Sequence, residues 1–362
     1  MQWIYKCIYA IVFLCSANGV PMPAWAQASQ WHTELLSEHA FHADFELLES
    51  TLQATHGGLT QYTSAPELHL LAQSLKTVNG PISFQQAYTR FAQYIDAIRD
   101  GHTWIMPAET QAHEILSHAF LPFTVKVQGF EVCIDQNYSD CLDLKSGTVL
   151  TAIDQRPVRE IVRELLPYFT ADGQSLSGKL GGLESQFWWY YSLHFGFKKA
   201  HEVAFMRTDG TADHTLVAAL RMNDRINDLN EIYSRYNDYD EPVVWAIHGD
   251  AALLTVHSFS NLALRKFRQM FTAAMADFNA AGCKFLVIDV RGNGGGREGV
   301  ENLLLSCLGQ SCEEKYDAVE IRSPYAPSYR HFRQGFRRRT EDWIYTAIEF
   351  RRNEHQHWER RD

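Results

Sequence analysis

The chain has 362 residues, enough for two or three domains with full hydrophobic cores. Its 46% hydrophobic and 21% charged residues are the composition of a folded globular protein and exclude a largely disordered chain. A formal net charge of −10 argues against a nucleic-acid partner, because phosphate binding needs a basic face that releases counterions.

The first residues are MQWIYK, followed by CIYAIVFLCSANGV and PMPAWAQA. One lysine, a short apolar run and small residues at Ala24, Ala26 and Ala28 predict a secretory signal peptide over 1–26, cleaved after Ala26 or Ala28. An uncleaved N-terminal anchor is the alternative. The rest of the sequence has no apolar segment of spanning length, so the expectation is a periplasmic or secreted protein with no integral membrane segment after cleavage.

Export changes how the cysteines read, since an oxidising compartment lets disulfides persist. Cys133 and Cys141 flank a polar turn, and Cys307 and Cys312 flank LGQS, so each pair is a disulfide candidate. Cys283, alone before an apolar run, reads as a buried, inert thiol. There is no CxxC, and the histidines are scattered without HExxH spacing, so neither a metal nor a cofactor is expected.

From Trp31 to about His118 the pattern is helical. ELLSEHAFHADFELLESTLQATHGG ends in Gly57 and Gly58; SAPELHLLAQSLKTV begins with a Ser64 cap and Pro66; SFQQAYTRFAQYIDAIRDGHT runs from a Ser83 cap to Gly101. Residues 29–118 are therefore expected to form a helical domain, with His102 just past its last long helix. Alternating β-branched residues in LPFTVKVQGFEVCID then announce strands. A turn at Ser146 and Gly147, a strand VLTAI, a turn DQRP and a helix begun by Pro157 follow. An aromatic helical stretch, SQFWWYYSLHFGF, precedes two further alternating segments, HEVAFMRTDG and HTLVAALR. The order of these elements over 119–222 resembles a PDZ-like β-rich domain; any small α/β unit would read similarly. The run FWWYY suits a buried core helix, or the wall of an apolar cleft.

A polar, turn-rich linker is expected over 223–241. In 242–362, VVWAIHGDAALLTVHSF reads as a strand pair, LALRKFRQMFTAAMADFNAAG as a helix and KFLVIDV as a strand, which implies a parallel α/β core followed by an arginine-rich tail. KFLVIDV leads into RGNGGG. Gly294, Gly296 and Gly299 satisfy GxGxxG with Glu320 some way beyond, so a dinucleotide loop has to be weighed. Two features count against it: the polar DVRGN separates the strand from the first glycine of the match, and exported proteins rarely meet free NAD. The other use of such a loop is to leave backbone N–H groups open beside a helix N-terminus, where they can stabilise the oxyanion of an acyl-transfer intermediate.

VIDVRGNGGG resembles the signature of the S41 serine peptidases, the carboxyl-terminal-processing and tricorn-like proteases. AIRDGHT, LKSGTVLTAIDQRPVREIVREL and GDAALLTVHSF resemble further segments of that family, in the family's order. The resemblance implies an α/β multidomain protein: an N-terminal helical domain, a PDZ-like domain and a partial crotonase/ClpP-like α/β catalytic core. It implies an exported serine endopeptidase acting on protein or peptide through an acyl-enzyme. His102 would be the general base, and the N–H groups of Gly294, Gly295 and Gly296 part of the oxyanion hole. Asp289, Arg291 and Asn293 would brace the loop. No serine after Gly296 fits the nucleophile's expected small-residue context: Ser306 lies in an apolar helix, Ser311 between cysteines, and Ser323 and Ser328 among prolines. The chain thus reads as a fragment or pseudoenzyme of this family. The alternative is a noncatalytic peptide- or lipid-binding protein using the PDZ-like groove or an apolar cleft.

Overall fold

The computed structural model describes residues 8–12, 35–107, 109–207, 209–221, 241–259, 263–291, 293–296, 298–309, 320–321, 350–352 and 358–360. The chain is mixed α/β, with helices toward its N-terminus and antiparallel sheets beyond them. It divides into two compact units: Met1–Asp224 with Val319–Asp362, and Arg225–Ala318. Among the described residues no helix is long and apolar enough to cross a membrane.

In the first unit, β1 (Ile8–Val12) pairs antiparallel with β2 (Thr103–Pro107), Val12 opposite Thr103. Three helices lie between them in sequence. Helix α1 (Glu38–Thr55) is capped by Ser37, whose Oγ accepts the Ala40 N–H. Helices α2 (Ala65–Lys76) and α3 (Phe84–Ile98) each open on a reciprocal capping box, Ser64 with Glu67 and Ser83 with Gln86. Each box satisfies two backbone donors that a helix start leaves without an intrahelical partner. The apolar faces of α1 and α3 meet through Phe41, Phe45, Phe91 and Tyr94, all buried.

Helix α3 stops where Arg99 turns left-handed at φ 60°. The stretch expected to be helical up to His118 therefore contains a strand, β2, before α4 (Glu109–Leu116). Its residues alternate, with Thr103, Ile105 and Pro107 buried and Met106 exposed, a period of two that a helical reading overlooks.

The β-rich part begins with β3 (Ala119–Phe120), β4 (Phe123–Gln128) and β5 (Glu131–Asn137). It continues through β6 (Val149–Ile153), β7 (Arg156–Pro157), α5 (Val158–Leu165) and α6 (Ser177–Phe195) to β8 (Ala200–Met206), β9 (Ala212–Ala218) and β10 (Leu220–Arg221). The antiparallel sheet runs β4-β5-β6-β8-β9 with β7 beside β6, while β3 pairs with β10. Asp154 and Gln155, at φ 52° and 66°, make the tight turn read from DQRP. Helix α5 buries Val158, Ile161, Val162 and Leu165, the 1-4-5-8 stripe of an amphipathic helix. Phe187, Trp188, Tyr190 and Tyr191 of α6 are buried and Trp189 is half-buried, so most of the aromatic run belongs to the core.

Cys133 and Cys141 are free, half-buried thiols, and the expected disulfide between them is not formed. Hydrogen bonds close this turn instead: the Asn137 side-chain amide donates to the Cys141 carbonyl at 2.7 Å, and the Cys141 N–H to Ser139 Oγ at 3.2 Å. Cys307 and Cys283 are also free; both are half-buried against the core of the second unit. Cys312 and residues 223–240 of the expected linker lie outside the described residues.

In the second unit β11 (Val243–His248) and β12 (Ala251–Val256) form a hairpin turning at Gly249, with φ 63°, and Asp250. Helix α7 (Leu264–Ala280) carries the chain back to β13 (Phe285–Asp289), which lies parallel to β12 with Thr255 opposite Asp289. A parallel pair requires such a crossover. Helix α8 (Glu298–Cys307) follows the glycine loop. Phe267, Phe271, Ala274 and Phe278 of α7 and Val300 and Leu304 of α8 pack with Val243, Ala252, Leu254 and Val256 of the sheet in one core. Three short strands that belong to the first unit, β14 (Glu320–Ile321), β15 (Phe350–Arg352) and β16 (Trp358–Arg360), pair antiparallel in the order β14-β16-β15.

Candidate active site

The glycine loop leaves β13 through a local clamp. Both oxygens of Asp289 are held by Arg291: Oδ1 accepts the backbone N–H at 3.0 Å and Nε at 2.9 Å, and Oδ2 accepts Nη2 at 2.7 Å. These hydrogen bonds hold the carboxyl at about 2. With its acceptors engaged and its guanidinium partner exposed, Asp289 is suited to shaping the strand end.

Asn293 ties the loop down. Its Oδ1 accepts the Gly295 N–H at 2.8 Å while its amide donates to the Val256 carbonyl at 2.9 Å, and its own N–H donates to the Val290 carbonyl. The Gly295 carbonyl accepts the Phe259 N–H at 3.1 Å. The loop is thus stitched to the segment leaving β12. Gly295 and Gly296 have φ of 89° and 144°, a region closed to ordinary side chains, which is the steric reason for glycine there.

The Gly295 N–H is consumed inside the loop. The N–H groups of Gly294 and Gly296, on exposed residues, have no acceptor among the described residues. They lie just ahead of α8, at a helix end whose dipole favours negative charge.

His102 stands in the first unit, in the loop Asp100-Gly101-His102 between α3 and β2. Its side chain is 89% exposed, but its backbone is fixed. Asp100 Oδ1 accepts the His102 N–H at 2.9 Å, Asp172 Oδ1 accepts the Gly101 N–H at 2.8 Å, and the Gly173 N–H donates to the Arg99 carbonyl at 2.9 Å. A side chain at position 101 would crowd Asp172 Oδ1 at 3.3 Å, so glycine permits this approach. Ligand atoms of Asp100, His102 and Asp172 lie within 4.8 Å of one another and are the set that could face a cation, although one oxygen of each aspartate already accepts a backbone N–H.

The sequence model of Peptidase family S41 matches residues 250–314. The matched S41 segment includes β12, α7, β13, the glycine loop and α8; His102 lies outside it. Among solved structures, mature CPAF complexed with lactacystin is similar at 14% identity and a TM-score of 0.49, over 75% of this chain and 59% of that one. Mature CPAF is similar at 14% identity and a TM-score of 0.47, over 72% and 56%. The chain therefore spans less than two thirds of the length of these structures. No curated protein sequence matches it.

Six of the residues singled out from sequence, Asp289, Arg291, Asn293, Gly294, Gly295 and Gly296, share one loop of the S41 segment; His102 belongs to the other unit. Ser306, the described serine after the loop, donates its hydroxyl to the Leu303 carbonyl at 2.7 Å within α8; Ser311, Ser323 and Ser328 lie outside the described residues. Sequence reasoning missed the surroundings of His102: Asp100, His56, Thr103 and Asp172. Asp100 was visible in the quoted DGHT, but nothing local could join it to His56 or Asp172.

Proposed function

We propose that this chain is part of an exported serine endopeptidase that hydrolyses peptide bonds through an acyl-enzyme. His102 takes the nucleophile's proton, and the N–H groups of Gly294 and Gly296 receive the developing oxyanion. Gly295, placed with them by the sequence, serves as the internal tie that holds the other two in position. The nucleophilic serine comes from outside the described residues. The carrying observation is the loop itself: a family-matched glycine turn, braced by Asn293 and Asp289, with two open N–H donors beside a helix start. The substrate class is protein or peptide, and the β-rich region of residues 119–222 acts as a PDZ-like module that takes an extended chain as an added strand.

One observation favours the second reading, a noncatalytic peptide-binding protein: the hydroxyl of Ser306 is turned back onto its own helix. Fluorophosphonate labelling of the chain extended through its downstream coding sequence separates the two. Labelling abolished by His102→Ala supports the peptidase. No labelling and no peptide hydrolysis in an extended chain that contains a serine after the next apolar strand would refute it.

A further inference from the structure

Strand β4 ends one side of the sheet β4-β5-β6-β8-β9. An edge strand carries backbone N–H and C=O groups that no neighbouring strand uses. On β4 one of them is taken from outside the sheet: Glu184 of α6 accepts the Val127 N–H through Oε2 at 3.0 Å. The same carboxylate accepts Lys126 Nζ through Oε1 at 2.8 Å. Glu184 therefore stands where an added strand would place a carbonyl. The part of α6 that carries it is weak as a helix. It starts at Ser177 without a side-chain cap, contains Gly178, Gly181 and Gly182, and ends where Gln186 leaves the helical region at φ −126° and ψ 19°. Interior glycines weaken a helix. Gly182 faces Phe169, but an added Cβ at Gly181 would meet nothing within 4 Å, so packing does not require glycine there. Beyond Gln186 the helix is anchored by the buried Phe187, Tyr190, Tyr191 and Leu193; before it, Leu183 is buried and Lys179 pairs with Asp96 of α3.

We propose that residues 177–185 are a removable cover over the β4 edge, latched by Glu184, and that an extended peptide with an acidic residue opposite Lys126 takes their place. This rests on the reading of residues 119–222 as a strand-adding module, and it names the partner and the control of that module. When the cover unwinds at Gln186, the Val127 N–H receives a peptide carbonyl and the half-exposed Lys126 receives a peptide carboxylate. Both donors that Glu184 satisfied then regain a partner, one acid exchanged for another. A neutral strand would restore only the first. The opposite edge, β9, is the competing site. Glu202 of β8 donates its N–H to Asp154 Oδ1 and accepts the Asp154 N–H, both away from β9. Leu216, opposite Glu202, therefore points its own backbone groups out of the sheet.

The test is isothermal titration calorimetry of the full chain with the peptide Thr-Val-Thr-Glu-Thr-Val-Thr, acetylated and amidated so that its ends are uncharged, and with the same peptide carrying Gln for Glu. Glu184→Ala is expected to bind the Glu peptide about tenfold more tightly than the wild type, because the closed cover no longer competes. It should prefer that peptide to the Gln form and lose it when Val127→Pro removes the outward N–H, a change that costs no ladder bond. Gly181→Ala, which firms the cover without touching the edge, is expected to weaken binding about fivefold. Equal affinity in the wild type, Glu184→Ala and Gly181→Ala, with loss in Val127→Pro, overturns the cover and leaves strand addition standing. Loss in Leu216→Pro instead moves the site to β9 and overturns the proposal while keeping strand addition. Equal affinity for the Glu and Gln peptides overturns the acidic partner. No binding in any folded variant, by heat or by hydrogen-exchange protection of β4, refutes the cover and the strand-adding reading together. Should Glu184→Ala fail to fold, the wild type against Gly181→Ala still decides.

Discussion

Asn293 accepts the Gly295 N–H through Oδ1 at 2.8 Å, and this one contact decides which glycine amides of the loop stay open. Its second contact, to the Val256 carbonyl, anchors the loop to the end of β12. Asn293→Ala removes both and leaves a half-buried carbonyl without its donor. The expected loss is about 1–3 kcal/mol in urea unfolding, with faster hydrogen exchange at the Gly295 amide. Unchanged exchange there would mean the loop is held by other contacts.

A second prediction concerns Gly182, in α6 against the Phe169 ring. An added Cβ would lie 2.6 Å from Phe169 Cδ1, and the ring is itself buried edge-on to Tyr190. Gly182→Ala should therefore lower stability by about 1–3 kcal/mol despite its better helix propensity. A thermal midpoint equal to or above the wild type would show that Phe169 can move.

The pH dependence of folding is set in part by His201, which is fully buried with Nδ1 donating to Asp154 Oδ2 at 2.9 Å. Tyr191 from α6 and Lys198 meet the same oxygen. Burial pushes the His201 ring below its usual range, against the opposing pull of Asp154. The unfolded ring binds a proton more readily than the folded one, so this contribution is whole above about pH 6.5 and is lost as pH falls toward the folded value. Asp154 acts in the same sense at lower pH. Burial opposes its charge, but bonds from His201, Lys198 and Tyr191 hold it below the usual carboxylate range, so its contribution is lost below about pH 4. Urea midpoints should fall on acidification from neutral pH, and His201→Leu should flatten the upper part of that fall. An equal slope in the variant would rule out His201 as its source.

The capping box at the start of α2 offers a calibrated comparison. Ser64→Ala removes the acceptor of the Glu67 N–H at the exposed start of α2 and should cost about 1 kcal/mol. Ser64→Gly should cost only a few tenths, roughly, because glycine keeps the cap's backbone accessible to water. Thermal unfolding of both variants checks the order.

Much of the fold was legible because it is local. Ser64 and Ser83 mark helix starts through contacts three residues away, VLTAI alternates as a strand with period two, and Asp154-Gln155 turns tightly between short strands. The strand Thr103–Pro107 was missed because a helix precedes it and another follows, and its period of two shows in burial while the residue types Thr-Trp-Ile-Met-Pro do not alternate in polarity. The pairing of Cys133 with Cys141 was a spacing argument; the turn between them turned out to be closed by Asn137 and Ser139.

The sequence alone determined the capped helices, the hairpin turns and the glycine loop with its S41 likeness, since each depends on residues within a few positions of one another. Only the tertiary structure decided that His56 stands behind Asp100, 44 residues away, and that Asp172 takes the Gly101 N–H, 71 residues away. It also decided that Gly295, alone of the three glycines, spends its N–H within the loop. Contacts at such separations are selected by how whole elements pack, a sum over many weak interactions that no short stretch of sequence contains.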